Sequence, residues 1–220
     1  MPFLTMKHLP YSRALLLAAA LLLAAPLAAE EGLVLQGSLG AAANLETPLT
    51  IRQSGFADLD LDADYETEPF TDPVYYSVRA GWWRGRGGWE VEVIHHKLIL
   101  RDPPPELRGF QISHGYNFVL VNRGWDLGRL LLRVGAGPIL AHPEGAVRGQ
   151  QINPENEYKW TGPGVQVGVE KRFAFGRGLL LGVEGKASAA RANLKMKDVE
   201  VDAPSYAAHL LVSLGYRWKG

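Results

Sequence analysis

The strongest constraint on this chain is a repeated alternation of apolar residues with small or polar ones, in segments of about ten residues. After the first 29 residues, no stretch places apolar residues at helical spacing. Such alternation indicates β-strands with one apolar and one polar face. We predict eight of them, at residues 33–42, 74–83, 89–98, 110–121, 130–140, 163–173, 179–190 and 206–218.

The connections between these segments alternate strictly in length. Long connections are predicted around residues 46–72, 102–105, 142–159 and 195–204, and short ones at 84–88, 122–124 and 176–178. Transmembrane barrels have short periplasmic turns and longer extracellular loops in this order. The pattern therefore predicts an all-β fold, an eight-stranded antiparallel up-and-down transmembrane β-barrel, with both termini in the periplasm.

The first residues have the features of a secretory signal peptide. Lys7 and Arg13 precede an apolar run at 14–25, and small residues follow at 28–29. The run is shorter than the roughly 20 residues that a membrane-spanning helix needs, and Pro26 interrupts it. We therefore expect a signal peptide at 1–29, export from the cytoplasm, and a barrel domain at 30–220.

Composition excludes several functions. The chain has 23 Lys and Arg against 23 Asp and Glu, so no basic excess favours nucleic acid as a partner. It contains no cysteine, which excludes thiol chemistry and disulfides.

The last predicted strand has apolar residues at every second position and ends on an aromatic one: Leu210, Val212, Leu214, Tyr216 and Trp218. It resembles the C-terminal assembly signal of outer-membrane proteins, except that Lys219 and Gly220 follow the aromatic residue.

The whole mature chain resembles the OmpA/OmpX-like family of small outer-membrane barrels. This resemblance implies a non-enzymatic protein of the Gram-negative outer membrane, without a cofactor, that is inserted by the barrel-assembly machinery. Its extracellular loops would contact lipopolysaccharide, a surface ligand or another envelope protein. A soluble sandwich or a lipocalin-like carrier is the alternative architecture.

Charged residues within the predicted strands share one face, which should line the lumen. The expected lumen network consists of Arg79, Glu90, Glu92, Arg133, Glu170, Arg172, Glu184, Lys186 and Arg217. Nearly matched charges in the narrow interior of an eight-stranded barrel favour a closed, paired network over a water-filled pore.

A set of aromatic residues near the predicted periplasmic ends of the strands is predicted to form a girdle at the membrane interface: Trp82, Trp83, Trp89, Trp125, Tyr216 and Trp218.

An enzymatic alternative rests on a polar cluster in the third and fourth predicted strands. If Leu100 lies opposite Gly109, then His95 faces His114 and His96 faces Ser113. Strand parity would direct His95 and His114 to lipid, and would direct the following residues to the lumen: His96, Ser113, Glu92 and Asn117. Ser113, His96 and Glu92 would then be candidates for nucleophile, base and acid of a lipid A-modifying hydrolase. The resemblance to lipid A deacylases is incomplete, because their pattern places His and Ser two residues apart, whereas Ser113 is adjacent to His114.

The sequence contains two candidate metal sites. Asp58, Asp60, Asp62 and Asp64 recur at every second position, an oxygen-rich spacing that could hold calcium, but they lack the glycine of an EF-hand loop. A zinc site at His95 and His114 lacks an evident third ligand. The expectation is therefore that the protein holds no metal.

Overall fold

The structure, a computed structural model, describes residues 31–219. The predicted signal peptide at 1–29 lies outside the described residues. The described chain is made of strands and their connections: β1 (Gly32–Asn44), β2 (Thr47–Gln53), β3 (Leu59–Ala63), β4 (Tyr65–Glu66), β5 (Tyr76–Arg84), β6 (Gly87–His95), β7 (Leu98–Leu100), β8 (Leu107–Ile112), β9 (Tyr116–Asp126), β10 (Leu131–Ala141), β11 (Glu144–Val147), β12 (Gln150–Gln151), β13 (Lys159–Phe175), β14 (Leu179–Lys195) and β15 (Val199–Trp218). No helix within residues 31–219 is long and apolar enough to cross a membrane.

Eight of these strands form a closed barrel. Each pairs antiparallel with its neighbour in the order β1, β5, β6, β9, β10, β13, β14, β15. The barrel closes because β15 also pairs with β1, with Val212 opposite Leu39. Closure removes the unpaired strand edges that an open sheet would present. The predicted all-β fold with eight antiparallel up-and-down strands is confirmed.

The period of two residues along each strand separates an outward from an inward face. In β15 the outward residues from Tyr206 to Trp218 are exposed and apolar, while the alternate residues are buried in the barrel. The other barrel strands continue this surface with residues such as Val78, Val91 and Val167. We call this continuous apolar surface the outer belt.

Aromatic residues border the outer belt where the short turns lie, which we call the turn end of the barrel. Trp82, Trp89 and Trp125 are exposed there. The Arg123 guanidinium lies 5.4 Å from the Trp89 ring centroid and 5.7 Å from that of Trp125. This arrangement suits an interface, where an arginine keeps its charge in water while its stem covers apolar surface.

Trp83 does not belong to this girdle, so that part of the girdle prediction is wrong. Its side chain is fully buried in the lumen, where Nε1 donates a hydrogen bond to Glu90 Oε1 at 3.1 Å. The ring occupies space left by two inward glycines. A Cβ atom at Gly88 would lie 2.5 Å from Trp83 Cδ2, and one at Gly124 would lie 2.6 Å from Cη2.

We expect Gly88→Ala to destabilise the barrel by about 1–3 kcal/mol, because the added methyl group overlaps the buried Trp83 ring. Gly185→Ala is the matched control, since a Cβ there would meet nothing within 4 Å. Urea unfolding in detergent, followed by tryptophan fluorescence, measures both. If Gly88→Ala were as stable as Gly185→Ala, the proposed contact between this glycine and Trp83 would be wrong.

The long connections all lie at the opposite end of the barrel, the loop end. The predicted fourth loop at 195–204 is wrong, because β14 and β15 continue past it as a paired hairpin that only residues 196–198 connect. Its inward residues Leu194, Val199 and Val201 are buried against the other loops. At its outer surface Arg191 Nε donates to Asp202 Oδ1 at 2.8 Å, and this contact lowers the pKa of Asp202.

The loops pack into a cap over the loop end. β2 adds to the barrel sheet by pairing with β15, and β3 pairs with β2. A second sheet, in the order β12, β11, β8, β7, β4, lies beside them. The cap shares one buried apolar core with the upper lumen, which is the part of the lumen nearest the loop end. The members of this core include Leu49, Ile51, Tyr65, Leu98, Phe110, Ile112, Phe118, Ile139, Val147, Leu194 and Val201.

Candidate functional site

The lower lumen, which is the part of the lumen nearest the turn end, holds a network of buried charges. Among residues 31–219, four cations and four carboxylates contact one another there: Arg79, Arg133, Arg172, Lys186, Glu90, Glu92, Glu170 and Glu184. Arg79 Nη2 lies 2.9 Å from Glu92 Oε1 and 2.8 Å from Glu184 Oε2. The equal numbers matter, because an isolated buried charge is costly, whereas a paired and hydrogen-bonded charge is tolerated.

Arg133 connects the two carboxylates at the turn end of the network. Its Nε atom lies 2.6 Å from Glu90 Oε2, and its Nη1 atom lies 2.6 Å from Glu170 Oε2. Arg172 contacts Glu170 through two nitrogens, at 3.1 Å and 3.0 Å. The contact between Arg133 on β10 and Glu90 on β6 crosses the barrel interior, because β9 lies between these two strands in the sheet.

Glu92 is the most heavily bonded carboxylate of the network. Its Oε1 atom accepts hydrogen bonds from Ser77 and Lys186, both at 2.6 Å, and from Arg79. Its Oε2 atom accepts from Asn122 at 2.8 Å and Gln166 at 2.6 Å. With both oxygens engaged inside a lumen that excludes solvent, Glu92 is a structural centre of the barrel interior.

Arg217, the ninth residue of the predicted network, does not join it. It is half-buried at the turn end and makes no ion pair within the described chain. Strand parity directs its side chain inward. However, the residue is next to last in β15 and therefore lies closer to the turn end than the carboxylates of the network.

A layer of polar aromatic residues separates the charged network from the apolar cap. His209 Nε2 lies 2.7 Å from Ser188 Oγ, and His209 Nδ1 lies 2.7 Å from the Tyr75 hydroxyl. The His96 ring lies 5.4 Å from that of His209, and its Nε2 atom lies 3.0 Å from Asn44 Oδ1. No signal in the sequence indicated His209, Ser188 and Tyr75, because each is a single residue that belongs to no spacing pattern and the three meet only through the pairing of distant strands.

The three candidate hydrolase residues are not assembled into a triad. Glu92 belongs to the lower network, His96 belongs to the layer above it, and buried Ser113 makes no side-chain hydrogen bond within the described chain. No hydrogen bond or ion pair joins any two of the three among residues 31–219. This geometry gives a hydrolase mechanism no support.

The predicted register between β6 and β9 is wrong. His95 lies beside Asn117, with Nδ1 2.8 Å from Asn117 Oδ1, and Asn117 faces outward. His114 is displaced because Gly115, with a φ angle of 138°, interrupts the pairing just before β9 begins. His114 consequently approaches β10, where its ring centroid lies 5.6 Å from that of His142.

The aspartates of the predicted calcium site do not converge. Asp60 and Asp62 lie on the exposed face of β3, with Asp58 just before the strand and Asp64 just after it, and a strand separates such side chains by about 7 Å. Each of three has its own partner: Asp58 pairs with Arg52, Asp60 accepts from Thr50, and Asp64 pairs with Arg101.

The fold was compared with known proteins. No protein-family model and no curated protein matches the chain. Among solved structures, Ail, the attachment invasion locus protein of Yersinia pestis, aligns with a TM-score of 0.41 and 11% identity over 85% of this chain and 100% of its own. Neisserial surface protein A aligns with a TM-score of 0.44 and 12% identity, covering 86% and 98%. The outer membrane protease OmpT of Escherichia coli aligns with a TM-score of 0.43 and 8% identity, covering 85% and 97%. At these values the likeness assigns neither a family nor a function.

Proposed function

We propose that this protein is a non-enzymatic outer-membrane β-barrel with a closed lumen, which acts through its loop cap in envelope structure or surface binding. The observation that carries the proposal is the inverted arrangement of polarity. The outer belt is apolar, whereas charges such as Arg79, Glu92 and Arg133 are buried inside. In water this arrangement would leave a large apolar surface unsatisfied, while in a bilayer the belt contacts lipid.

The closed interior argues against a diffusion channel. Ion pairs cross the lower lumen, and the apolar cap core fills the region above it. A barrel of eight strands has an interior that side chains can fill. The surface left for molecular contacts is therefore the cap at the loop end. With both termini in the periplasm, this cap faces the exterior of the cell.

The cap is suited to recognition because it is ordered by the apolar core that it shares with the upper lumen. Loops that are held in one conformation lose less conformational entropy when they bind a partner. We propose lipopolysaccharide and outer-membrane lipid as the surroundings of the belt, and a surface ligand or envelope protein as the partner of the cap. Insertion by the barrel-assembly machinery would depend on the terminal residues of β15.

Cysteine labelling tests the topology cleanly, because the chain has no native cysteine. We expect Glu155→Cys in the cap to react with a membrane-impermeant maleimide in intact cells. Arg177→Cys, in the turn between β13 and β14, should react only after the outer membrane is permeabilised. Val167→Cys, in the outer belt, should stay unlabelled in both conditions.

Two outcomes would contradict the proposal. Labelling of Arg177→Cys but not Glu155→Cys in intact cells would reverse the orientation. Equal labelling of Val167→Cys and Glu155→Cys would show that the belt is in water.

A further inference from the structure

Three potential metal ligands meet where the cap joins the barrel. They are His114, His142 and Glu144, and one donor atom of each lies within 4.8 Å of the other two. Glu144 Oε1 is shared by both histidines. It contacts His114 Nδ1 directly and lies 3.2 Å from His142 Nδ1.

Strand pairing places these residues together. Tyr116 at the start of β9 lies opposite Ala141 at the end of β10, so the residues just beyond each strand are neighbours. The backbone nitrogen of His142 accordingly donates to Gly115 O at 3.0 Å. Glu144 begins β11, which pairs with β8 and places it opposite Gln111. The three side chains are thus positioned by hydrogen-bonded backbone.

His142 has the feature that most clearly points to a ligand. Its side chain is 5% exposed, and its Nδ1 atom makes no hydrogen bond, because its 3.2 Å contact with Glu144 Oε1 lacks hydrogen-bond geometry. A buried polar atom without a partner is unfavourable unless something binds it. A cation held between His142 and Glu144 would satisfy the imidazole nitrogen and the carboxylate together.

The surrounding contacts resemble those that orient metal ligands elsewhere. Gln111 Nε2 donates to Glu144 Oε2 at 2.7 Å, which leaves Oε1 directed towards the histidines. The Tyr158 ring lies 4.6 Å from the His142 ring, and its hydroxyl donates to the backbone carbonyl of His114 at 3.2 Å. A hydrogen bond such as that from Gln111 fixes the orientation of a metal-binding carboxylate.

We propose that His114, His142 and Glu144 bind a divalent transition metal ion, with zinc as the expected ion. Two imidazole nitrogens and one carboxylate oxygen form a three-ligand zinc set, and the fourth position takes water or an external ligand. In a tetrahedral zinc site the donor atoms are about 3.4 Å apart. Glu144 Oε1 already lies within this distance of both histidine nitrogens, so only the two histidine donor atoms, which lie within 4.8 Å of each other, need to approach, by at most about 1.4 Å. His114, with 54% of its side chain exposed, has room to move inward.

The inference does not depend on the membrane assignment, because all three ligands lie beyond the barrel strands. It also differs from the two metal sites considered from the sequence, since neither His142 nor Glu144 belonged to them. A zinc ion here would tie the start of β9, the end of β10 and β11 together at the base of the cap.

Isothermal titration of the purified, folded full chain in detergent with zinc chloride tests the proposal. The protein should carry no polyhistidine tag, which would itself bind zinc. We expect one zinc ion per chain. His142→Asn and Glu144→Gln should each weaken binding by more than about 100-fold, and Gln111→Leu should weaken it by about 10-fold. Heat-modifiable gel mobility establishes that each variant is folded.

Glu157→Gln is the matched control, because Glu157 is an exposed carboxylate of the same loop that pairs with Lys159. Its zinc affinity should equal that of the unmodified chain. The proposal is overturned if the folded chain shows no saturable zinc binding. It is equally overturned if Glu157→Gln weakens binding as much as Glu144→Gln, which would indicate diffuse attraction to an acidic surface.

Discussion

Glu92→Gln should destabilise the barrel by about 3–5 kcal/mol, because it removes one of the two carboxylates that the buried charges of Arg79 and Lys186 share. The substitution keeps the side-chain volume and removes one negative charge, so that within the described part of the chain four cations of the network would face three carboxylates. Urea unfolding in detergent, monitored by tryptophan fluorescence and by gel mobility, measures the change in unfolding free energy.

A double variant separates charge imbalance from local packing. Lys186 Nζ lies 2.6 Å from Glu92 Oε1, and Lys186→Met removes its charge while keeping an unbranched side chain. We expect the double variant Glu92→Gln, Lys186→Met to recover at least half of the stability lost by Glu92→Gln alone. Glu157→Gln at the surface should change stability by less than about 0.5 kcal/mol. Additive losses in the double variant would contradict the idea of a charge-balanced lumen.

Ile51→Asn should open the cap while leaving the barrel folded. Ile51 is fully buried in the cap core, and an amide there would lose apolar contacts and lack a hydrogen-bond partner. A local destabilisation of about 3 kcal/mol corresponds to a roughly 100-fold higher population of opened cap.

Limited chymotrypsin digestion measures the opening of the cap by comparing cleavage rates at two sites. Phe110 is buried in the same core as Ile51, whereas Phe70 is 79% exposed in the first loop. We expect cleavage after Phe110 to become about 100-fold faster in Ile51→Asn, and cleavage after Phe70 to keep its rate. Arg52→Asn is the control, because Arg52 lies on the exposed face of the same strand. Fast cleavage after Phe110 in the unmodified chain would show that the cap is not a packed unit.

The barrel could be predicted from the sequence because its determinants are local. A period of two residues is visible within each strand, so Arg79 and Glu92 could be assigned to the same face as Arg133 without knowledge of the register. Alternating loop and turn lengths then predicted the order of the strands, although the turn predicted at 122–124 lies within β9, which ends at Asp126. This reasoning works where each residue's direction follows from its neighbours in the chain.

The cap and the histidine cluster depend on contacts between distant segments. Whether Leu98 and Ile112 lie in lipid or in a core is decided by loops that periodicity does not describe. Trp83 illustrates the same limit, since a tryptophan near a turn suits both an interface and a lumen. Its burial follows from the space above Gly88 and Gly124. His114 was assigned to the wrong neighbour because Gly115 shifts the register by more than a symmetric hairpin allows.

Separation of cell membranes, with boiled and unboiled samples of each fraction compared by gel electrophoresis, tests the central claim most directly. A folded barrel with a hydrogen-bonded, closed sheet and a charge-paired lumen should be recovered in the outer membrane and should migrate differently before and after boiling. Recovery in the soluble periplasmic fraction, with no change in mobility, would contradict the account, because the outer belt would then be a surface in contact with water.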